Sequence, residues 1–175
     1  MKKLFTSAAV LLLMASCNNG DKTESNTAAL KDSTKTAAPD KKQQRLESNK
    51  QKAIASVTAF SNHDVEGTLK DEDPNAVDYG DGSMAPMKNM DSAKAMVTMF
   101  LKSFPDIKAD NILALADGEY VSVFADWSAT FKNDMGSTKA TGKTTKFHDC
   151  DLFRFNDSGR IIEHRSVQNM SILFK

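Results

Sequence analysis

The chain has 175 residues, which is enough for one ordinary domain and little more. Lys and Arg total 23 and so do Asp and Glu, so the formal net charge is zero, and the surplus of positive charge that nucleic-acid binding requires is lacking. The two cysteines, Cys17 and Cys150, are too few for a disulfide framework.

The first 17 residues have the pattern of a secretory signal. Two lysines precede the apolar run Leu4–Ser16, which is too short to cross a bilayer core of roughly 30 Å. The run ends in Met14-Ala15-Ser16-Cys17, which resembles a bacterial lipobox, and this resemblance implies that Cys17 is lipidated and becomes the first residue of the mature protein. We therefore predict that residues 1–17 are a lipoprotein signal peptide and that the protein is a membrane-anchored lipoprotein of the cell envelope, periplasmic or surface-exposed. The alternative is an ordinary cleaved signal with a cysteine that has no role.

Residues 18–44 are polar, with Leu30 as the only large apolar side chain. A segment of this composition buries too little apolar surface to offset the entropy of ordering it, so we predict a disordered tether. The domain then spans residues 45–175, where 16 basic residues stand against 19 acidic ones and the net charge is −3. The neutrality of the whole chain therefore hides a mildly acidic domain, which strengthens the exclusion of nucleic acid as a partner.

Helical periodicity dominates the first part of the domain. Between residues 45 and 62, apolar side chains recur at spacings of three and four, which predicts an amphipathic helix. A second short helix is predicted after Asp64, a residue type that favours helix N-caps. A short strand is predicted around 76–79, inside the turn-rich run DEDPNAVDYGDGS. A third helix is predicted to start at Asp91 and to end before Pro105.

After Pro105 the hydrophobic period changes from helical to two, which predicts strands. The predicted strands are 107–116, 120–132, 144–155 and 160 to about 174, with hairpin signals at Asp117-Gly118 and at 156–159. The order is therefore two helices, a strand, a helix and four strands. This order predicts an α+β fold in which helices cover one face of a curved, mostly antiparallel sheet.

Four stretches carry a family resemblance, namely AFSNHDVEGTL, SFPDIKAD, ATGK and DLFRFNDSGRIIEHRSVQN. In this order they resemble the nuclear-transport-factor-2-like (NTF2-like) superfamily, which includes ketosteroid isomerases and SnoaL-like polyketide cyclases. The resemblance covers nearly all of residues 45–175 and implies a cone-shaped fold, with three N-terminal helices packed on the sheet around a pocket. The superfamily includes enzymes, ligand binders and interaction modules, so the fold alone does not select a function.

Asp151 is the first candidate catalytic residue. Strand alternation places it on one face with Phe153 and Asp149, where a carboxyl is desolvated and a second charge is disfavoured. The resemblance to ketosteroid isomerases implies that Asp151 is held protonated and donates a hydrogen bond to an oxyanion. The alternative is an acid that lies at a strand edge or faces solvent.

The resemblance also implies a general base on the strand of VDYGDGS. The alignment falls on Tyr79 or, with a gap of one residue, on Asp78, and these neighbours point to opposite faces. We treat Asp78 as the candidate base and Tyr79 as a candidate ligand contact. The tyrosine donor of the isomerases falls near Ser56 and is therefore missing or moved. The aspartate that commonly follows the last strand in the cyclases is Asn169, whose amide cannot accept a proton as a carboxylate does.

Further candidate ligand contacts are aromatic or lie on the last strand. Trp127, Phe100 and Phe153 are predicted to form pocket wall or core, and an indole would offer a flat surface to a planar apolar ligand. The isomerase pattern turns His164 into the pocket, whereas the cyclase pattern favours the opposite face, with Asn169. The sequence leaves both open.

Two metal motifs are incomplete or ambiguous. The run DEDPN begins like a calcium loop, but Ala76 stands where Gly is required and Gly82 where Glu is required, so that reading fails. Met84, Met87 and Met90 have thioethers that favour Cu(I), yet methionine is also a flexible cavity filler. We predict no metal site and no cofactor.

The sequence thus predicts an exported, lipid-anchored domain that binds a small apolar or amphipathic ligand in a cone pocket. Whether it is also an enzyme is open, and the alternative is isomerase- or cyclase-like proton transfer with Asp78 as base and Asp151 as oxyanion donor. A second alternative is a protein-interaction module that forms a homodimer through its sheet. The predicted partners are the ligand, the membrane through the lipid and, in the last case, a second copy of the chain.

Overall fold

The computed structural model describes residues 40–175, and the first helix begins at the edge of this range. Helix α1 spans Lys41–Ser61, and its N-cap Asp40 accepts a hydrogen bond from Gln43 N at 2.7 Å. Residues 41–44, which composition assigned to the tether, therefore form the first turn of α1. Helix α2 spans Val65–Leu69, and its N-cap is Asp64, as predicted.

The remaining elements build a mixed sheet of five strands. They are β1 (Glu72–Asp78), α3 (Met90–Ser103), β2 (Lys108–Asp117), β3 (Tyr120–Thr130), β4 (Thr144–Phe155) and β5 (Ile161–Ser166), followed by a 3-10 helix at Met170–Phe174. The strand order is β1-β5-β4-β3-β2. The β1–β5 pair is parallel and the other three pairs are antiparallel, so the predicted α+β class and mostly antiparallel sheet are confirmed.

The last strand is shorter than its sequence pattern predicted. β5 ends at Ser166, and residues 170–174 form the 3-10 helix. The cause lies on the neighbouring strand, because the Asp149 carboxylate accepts hydrogen bonds from Ser166 Oγ at 2.6 Å and from Gln168 N at 2.8 Å. After these bonds the chain turns inward, where Leu173 of the 3-10 helix is buried. The expectation that the strand extends to about 174 is therefore wrong.

The first strand is longer than predicted, because it begins at Glu72 and not near Ala76. Its parallel partner explains the difference: Glu72 pairs with Ile161 and Val77 pairs with Glu163, with a bulge between the two pairs. Local turn residues such as Pro74 favour a loop, but the pairing with β5 overrides that preference.

The core lies between the helices and the inner face of the sheet. Alternation along β3 and β4 buries one set of side chains, as predicted, including Val121, Val123, Trp127, Phe147, Phe153 and Phe155.

The outer face of the sheet is partly apolar and exposed. Leu113 and Leu115 on β2 are 58% and 59% exposed, and Phe124 on β3 is 42% exposed. Within residues 40–175, no helix is long and apolar enough to span a membrane.

Candidate functional site

A cavity of about 590 Å³ lies between the helices and the inner face of the sheet. Its apolar end is aromatic: the Trp127 ring packs edge-on against Phe60 at 5.8 Å between centroids and lies nearly parallel to Phe147 at 6.4 Å. Methionines from α3 and from the preceding loop also line the cavity, namely Met84, Met87, Met96 and Met99. Such walls suit an apolar or planar organic body.

The polar end of the cavity is organised around His164. Its Nδ1 lies 3.0 Å from Asp78 Oδ1, and its Nε2 lies 3.2 Å from Asp151 Oδ1. The strand register brings the three side chains together, because Asp78 is the parallel partner of His164 and Phe153 is its antiparallel partner. Asp151 stands two residues before Phe153 and so shares its face. The ring of Phe153 packs against the imidazole, with 5.0 Å between ring centroids.

Mutual charge decides the ionisation of this trio. Burial opposes the ionisation of Asp78, but the charge and hydrogen bond of His164 outweigh it and hold the pKa of Asp78 below its usual range. Burial alone would lower the pKa of His164, yet the two carboxyls raise it well above its usual value. Burial raises the pKa of Asp151, and the contact with His164 opposes this rise only in part. At neutral pH the imidazole is therefore protonated and donates from both nitrogens.

Two further acids lie on the same wall of the cavity. Glu72, on β1 with Asp78, is 7% exposed, and burial raises its pKa to about 7. Asp149, on β4 with Asp151, is held by hydrogen bonds from Ser166 and Gln168. Sequence reasoning did not identify Glu72 because the predicted strand began after it. No local signal marks it, because a bulge separates Glu72 from Val77 and alternation cannot be carried from Asp78 back to Glu72.

Most of the predicted site residues line this one cavity, and the structure resolves the ambiguity of the last strand. The cavity-lining set includes Asp78, Asp151, Trp127, Phe100, Phe153 and His164. Neither Tyr79 nor Asn169 belongs to it. Tyr79 faces away from the cavity, with the Arg165 guanidinium 3.8 Å above its ring centroid, and Asn169 is an exposed residue that caps the 3-10 helix. The predicted lipidation site, Cys17, lies outside the described residues.

The face of the last strand that the cyclase pattern favours, opposite His164, therefore does not line the cavity. Glu163 pairs with Arg154 and lies on the opposite side of β5 from His164. Of the methionine run, Met84 and Met87 line the cavity, whereas Met90 begins α3 and does not. The two methionines thus act as apolar wall. Among residues 40–175, no three His, Cys, Asp or Glu side chains converge to hold a metal ion.

Solved structures share this architecture. AclR from Streptomyces galilaeus, a proposed hydroxylase, is 26% identical, with a TM-score of 0.60 over 71% of this chain and 91% of that one. A proposed SnoaL-like polyketide cyclase from Jannaschia sp. CCS1 is 15% identical, with a TM-score of 0.68 over 78% of this chain and 94% of that one. A proposed polyketide cyclase from Xanthomonas campestris pv. campestris is 15% identical, with a TM-score of 0.66 over 74% and 96%.

Sequence comparison identifies the family directly. No curated protein matches the chain at a significant level of similarity. The family model for SnoaL-like polyketide cyclases matches residues 51–175, which comprise most of the chain and every element from the middle of α1 onward. The protein belongs to the SnoaL-like polyketide cyclase family.

Proposed function

We propose that the domain binds a small, largely apolar organic molecule in its cavity. One observation supports the proposal: a cavity of about 590 Å³ has aromatic and methionine walls and contains the Asp78–His164–Asp151 trio. An apolar wall with a few convergent polar groups is the usual composition of a ligand pocket. The trio would orient the polar end of the ligand, and the rings around Trp127 would hold its body.

Native mass spectrometry of the full-length chain tests this proposal. We expect a co-purified molecule of a few hundred daltons, or saturable uptake of added 2-naphthylmethanol, which serves as a neutral bicyclic probe. Replacing a wall residue by a larger one, as in Ser56→Phe, should fill part of the cavity and reduce uptake. Failure to take up both endogenous molecules and the probe would contradict the proposal.

Proton transfer is a second candidate function. It is favoured by the meeting of Asp78 and Asp151 at one imidazole in one cavity, which gives a ligand access to both carboxyls. The raised pKa of Asp151 suits a group that holds a proton, whereas the lowered pKa of Asp78 makes it a weak base, so this function ranks second. Exchange of the α-hydrogens of 2-tetralone in D₂O above the buffer rate, lost in Asp151→Asn, would support it. A rate equal to buffer would contradict it.

We further propose that the protein is exported and anchored to the membrane of the cell envelope through a lipid on Cys17. The support is the signal-like sequence Leu4–Ser16 and the lipobox-like residues that end in Cys17. The polar segment after Cys17 would then separate the anchor from the ligand-binding domain.

The outer face of the sheet supports one more proposal, the packing of a second copy of the chain against it. Leu113, Leu115 and Phe124 form an exposed apolar patch on β2 and β3, where Leu113 and Phe124 are direct partners in the ladder. Patches of this kind on a monomer mark interaction sites. The patch faces away from the cavity, so a dimer would leave the ligand site open.

A further inference from the structure

The charges that line the cavity are almost all of one sign. Its ionisable side chains are His164 and five carboxyls, namely Glu72, Asp78, Asp81, Asp149 and Asp151. No lysine or arginine of the described residues lines it. The single imidazolium is shared between Asp78 and Asp151, so it cannot also neutralise the other acids. The polar end of the cavity therefore keeps a net negative charge at neutral pH.

Protein groups already satisfy four of these five carboxyls. Asp78 and Asp151 contact His164. Asp149 accepts hydrogen bonds from a hydroxyl and two backbone N–H groups. Asp81 accepts hydrogen bonds from Ser83, as well as one from the backbone of the 3-10 helix. These four acids hold the structure together, so none of them by itself requires a ligand.

Glu72 is different. Its residue is more than nine-tenths buried and lines the cavity, yet its carboxyl has no hydrogen-bond donor or ion-pair partner among residues 40–175. The nearby Arg160 guanidinium is turned to backbone carbonyls, those of Lys70 and Glu72 itself. Burying a carboxyl without a partner costs free energy. A bound molecule that brings a positive charge or a strong donor would complete this site.

We propose that the ligand of the cavity is an amphipathic organic amine, whose ammonium group pairs with the Glu72 carboxylate and whose apolar body lies against Trp127 and the methionines. This inference rests on the proposed ligand-binding function and names the ligand class. An organic cation fits better than a metal ion, because the described residues offer no converging set of three metal ligands and most of the wall is apolar. A carboxylic acid is the class that the site rejects, since it would add another negative charge beside Glu72 and Asp78.

Three probes with one ring system isolate the effect of charge: 2-naphthylmethylammonium, 2-naphthylmethanol and 2-naphthoate. Calorimetric titration of the full-length chain at pH 8 should show the ammonium bound about tenfold or more tightly than the alcohol, and the naphthoate bound most weakly. Glu72→Gln should remove the preference for the ammonium and leave the affinity for the alcohol within about twofold. Glu119→Gln, which removes an exposed carboxyl outside the cavity, should leave all three affinities unchanged.

The wild-type chain provides a second readout that does not depend on the folding of the variant. Its affinity for the ammonium should rise between pH 6 and pH 8 as Glu72 ionises, while its affinity for the alcohol stays level. The charged groups that face Glu72 are Asp78 on its own strand, His164 on β5 and Arg160 before β5. Asp78 keeps its charge across this range because its pKa is held below its usual value, and any loss of the His164 proton would change the affinity in the same direction.

The outcomes separate the two proposals. If the alcohol binds as tightly as the ammonium, or if Glu72→Gln keeps the preference, the amine inference is wrong while ligand binding stands. If none of the three probes binds and no molecule co-purifies, the proposed function itself fails. Tighter binding of the naphthoate than of the alcohol would also overturn the inference.

Discussion

His164 Nδ1 lies 3.0 Å from Asp78 Oδ1, although 86 positions separate the two residues in the chain. The parallel pairing of β1 with β5 creates this contact, and a second contact at 3.2 Å joins the same imidazole to Asp151 on β4. One side chain thus joins three strands across the polar end of the cavity. It is also the only cation that lines the cavity among the described residues.

Removing this imidazole should be costly at neutral pH. We expect His164→Ala to lower the free energy of unfolding by roughly 3 kcal/mol at pH 7, because two buried carboxyls lose their shared partner. Since the pKa of His164 is raised in the folded state, its stabilising effect is complete below its unfolded pKa and declines as pH rises through the folded pKa. Urea unfolding at several pH values measures this dependence. The control is His148→Ala, an exposed histidine, and an equal loss in both variants would contradict the prediction.

Replacing Glu72 should raise the free energy of unfolding, whereas replacing His164 should lower it. Its pKa rises from 4.5 to about 7 on folding, so its burial costs nothing below pH 4.5 and costs about 3 kcal/mol above pH 7. Glu72→Gln, which imitates the protonated form, should therefore stabilise the domain at pH 8 and change little at pH 4.5. Thermal unfolding at the two pH values measures the difference. A variant that is less stable at pH 8 would show that Glu72 has a stabilising partner.

Trp127 should report on the occupancy of the cavity, because it is the only tryptophan of the chain and lines the apolar end. We expect 2-naphthylmethanol to change its fluorescence with the same midpoint that calorimetry gives. Trp127→Phe should weaken binding of this probe by roughly tenfold through lost contact area. An emission spectrum that stays constant while calorimetry shows saturation would place the probe away from Trp127.

The proposed anchor can be tested with the two cysteines of the chain. We expect Cys17→Ser to move the protein from the membrane fraction to the soluble fraction, because a thioether-linked lipid requires the thiol. Cys150→Ser, a substitution on β4, is the matched control and should leave the distribution unchanged. Mass spectrometry of the mature protein should show acyl chains on an N-terminal cysteine. Membrane association that survives Cys17→Ser would contradict the proposed anchor.

The apolar patch on the outer face of the sheet predicts the oligomeric state. Light scattering of the purified protein should give twice the mass of one chain, and Leu113→Lys combined with Leu115→Lys should reduce it to one, because two charges would be buried in the interface. Val167→Lys changes a still more exposed apolar residue outside the regular strands and should keep the dimer. A wild-type protein with the mass of one chain would rule the interface out.

Elements that depend on local pattern could be predicted from the sequence. The alternation of β3 and β4 identified the buried faces, and with them Trp127 and Asp151, because a half-buried strand repeats every two residues. Asp64 could also be predicted as an N-cap, because the cap residue and its helix are adjacent in the sequence. The pattern of β4 also placed Asp149 inside, although nothing in it showed that this carboxylate would end β5.

Features that depend on long-range pairing were not predictable in this way. Glu72 lies in a run that favours turns, and only its pairing with Ile161 makes it part of a strand. The face of His164 was ambiguous because two family patterns disagreed, and the register with Asp78 decides it. Tyr79 and Asn169 were chosen by alignment, but one packs under Arg165 on the other face and the other begins a helix that the strand pattern concealed.

The pairing of β1 has a mechanical consequence for the cavity. β1 is an edge strand with β5 as its only strand neighbour in the sheet, and on its other side Asp78 exchanges backbone hydrogen bonds with Met87 alone. The aromatic end, in contrast, stands on the central strands β3 and β4. Opening one edge would carry Glu72 and Asp78 away from His164 while the rings around Trp127 stayed packed. The two carboxyls that β1 contributes therefore rest on the edge of the sheet, which is held by fewer neighbours than the interior strands under the aromatic end.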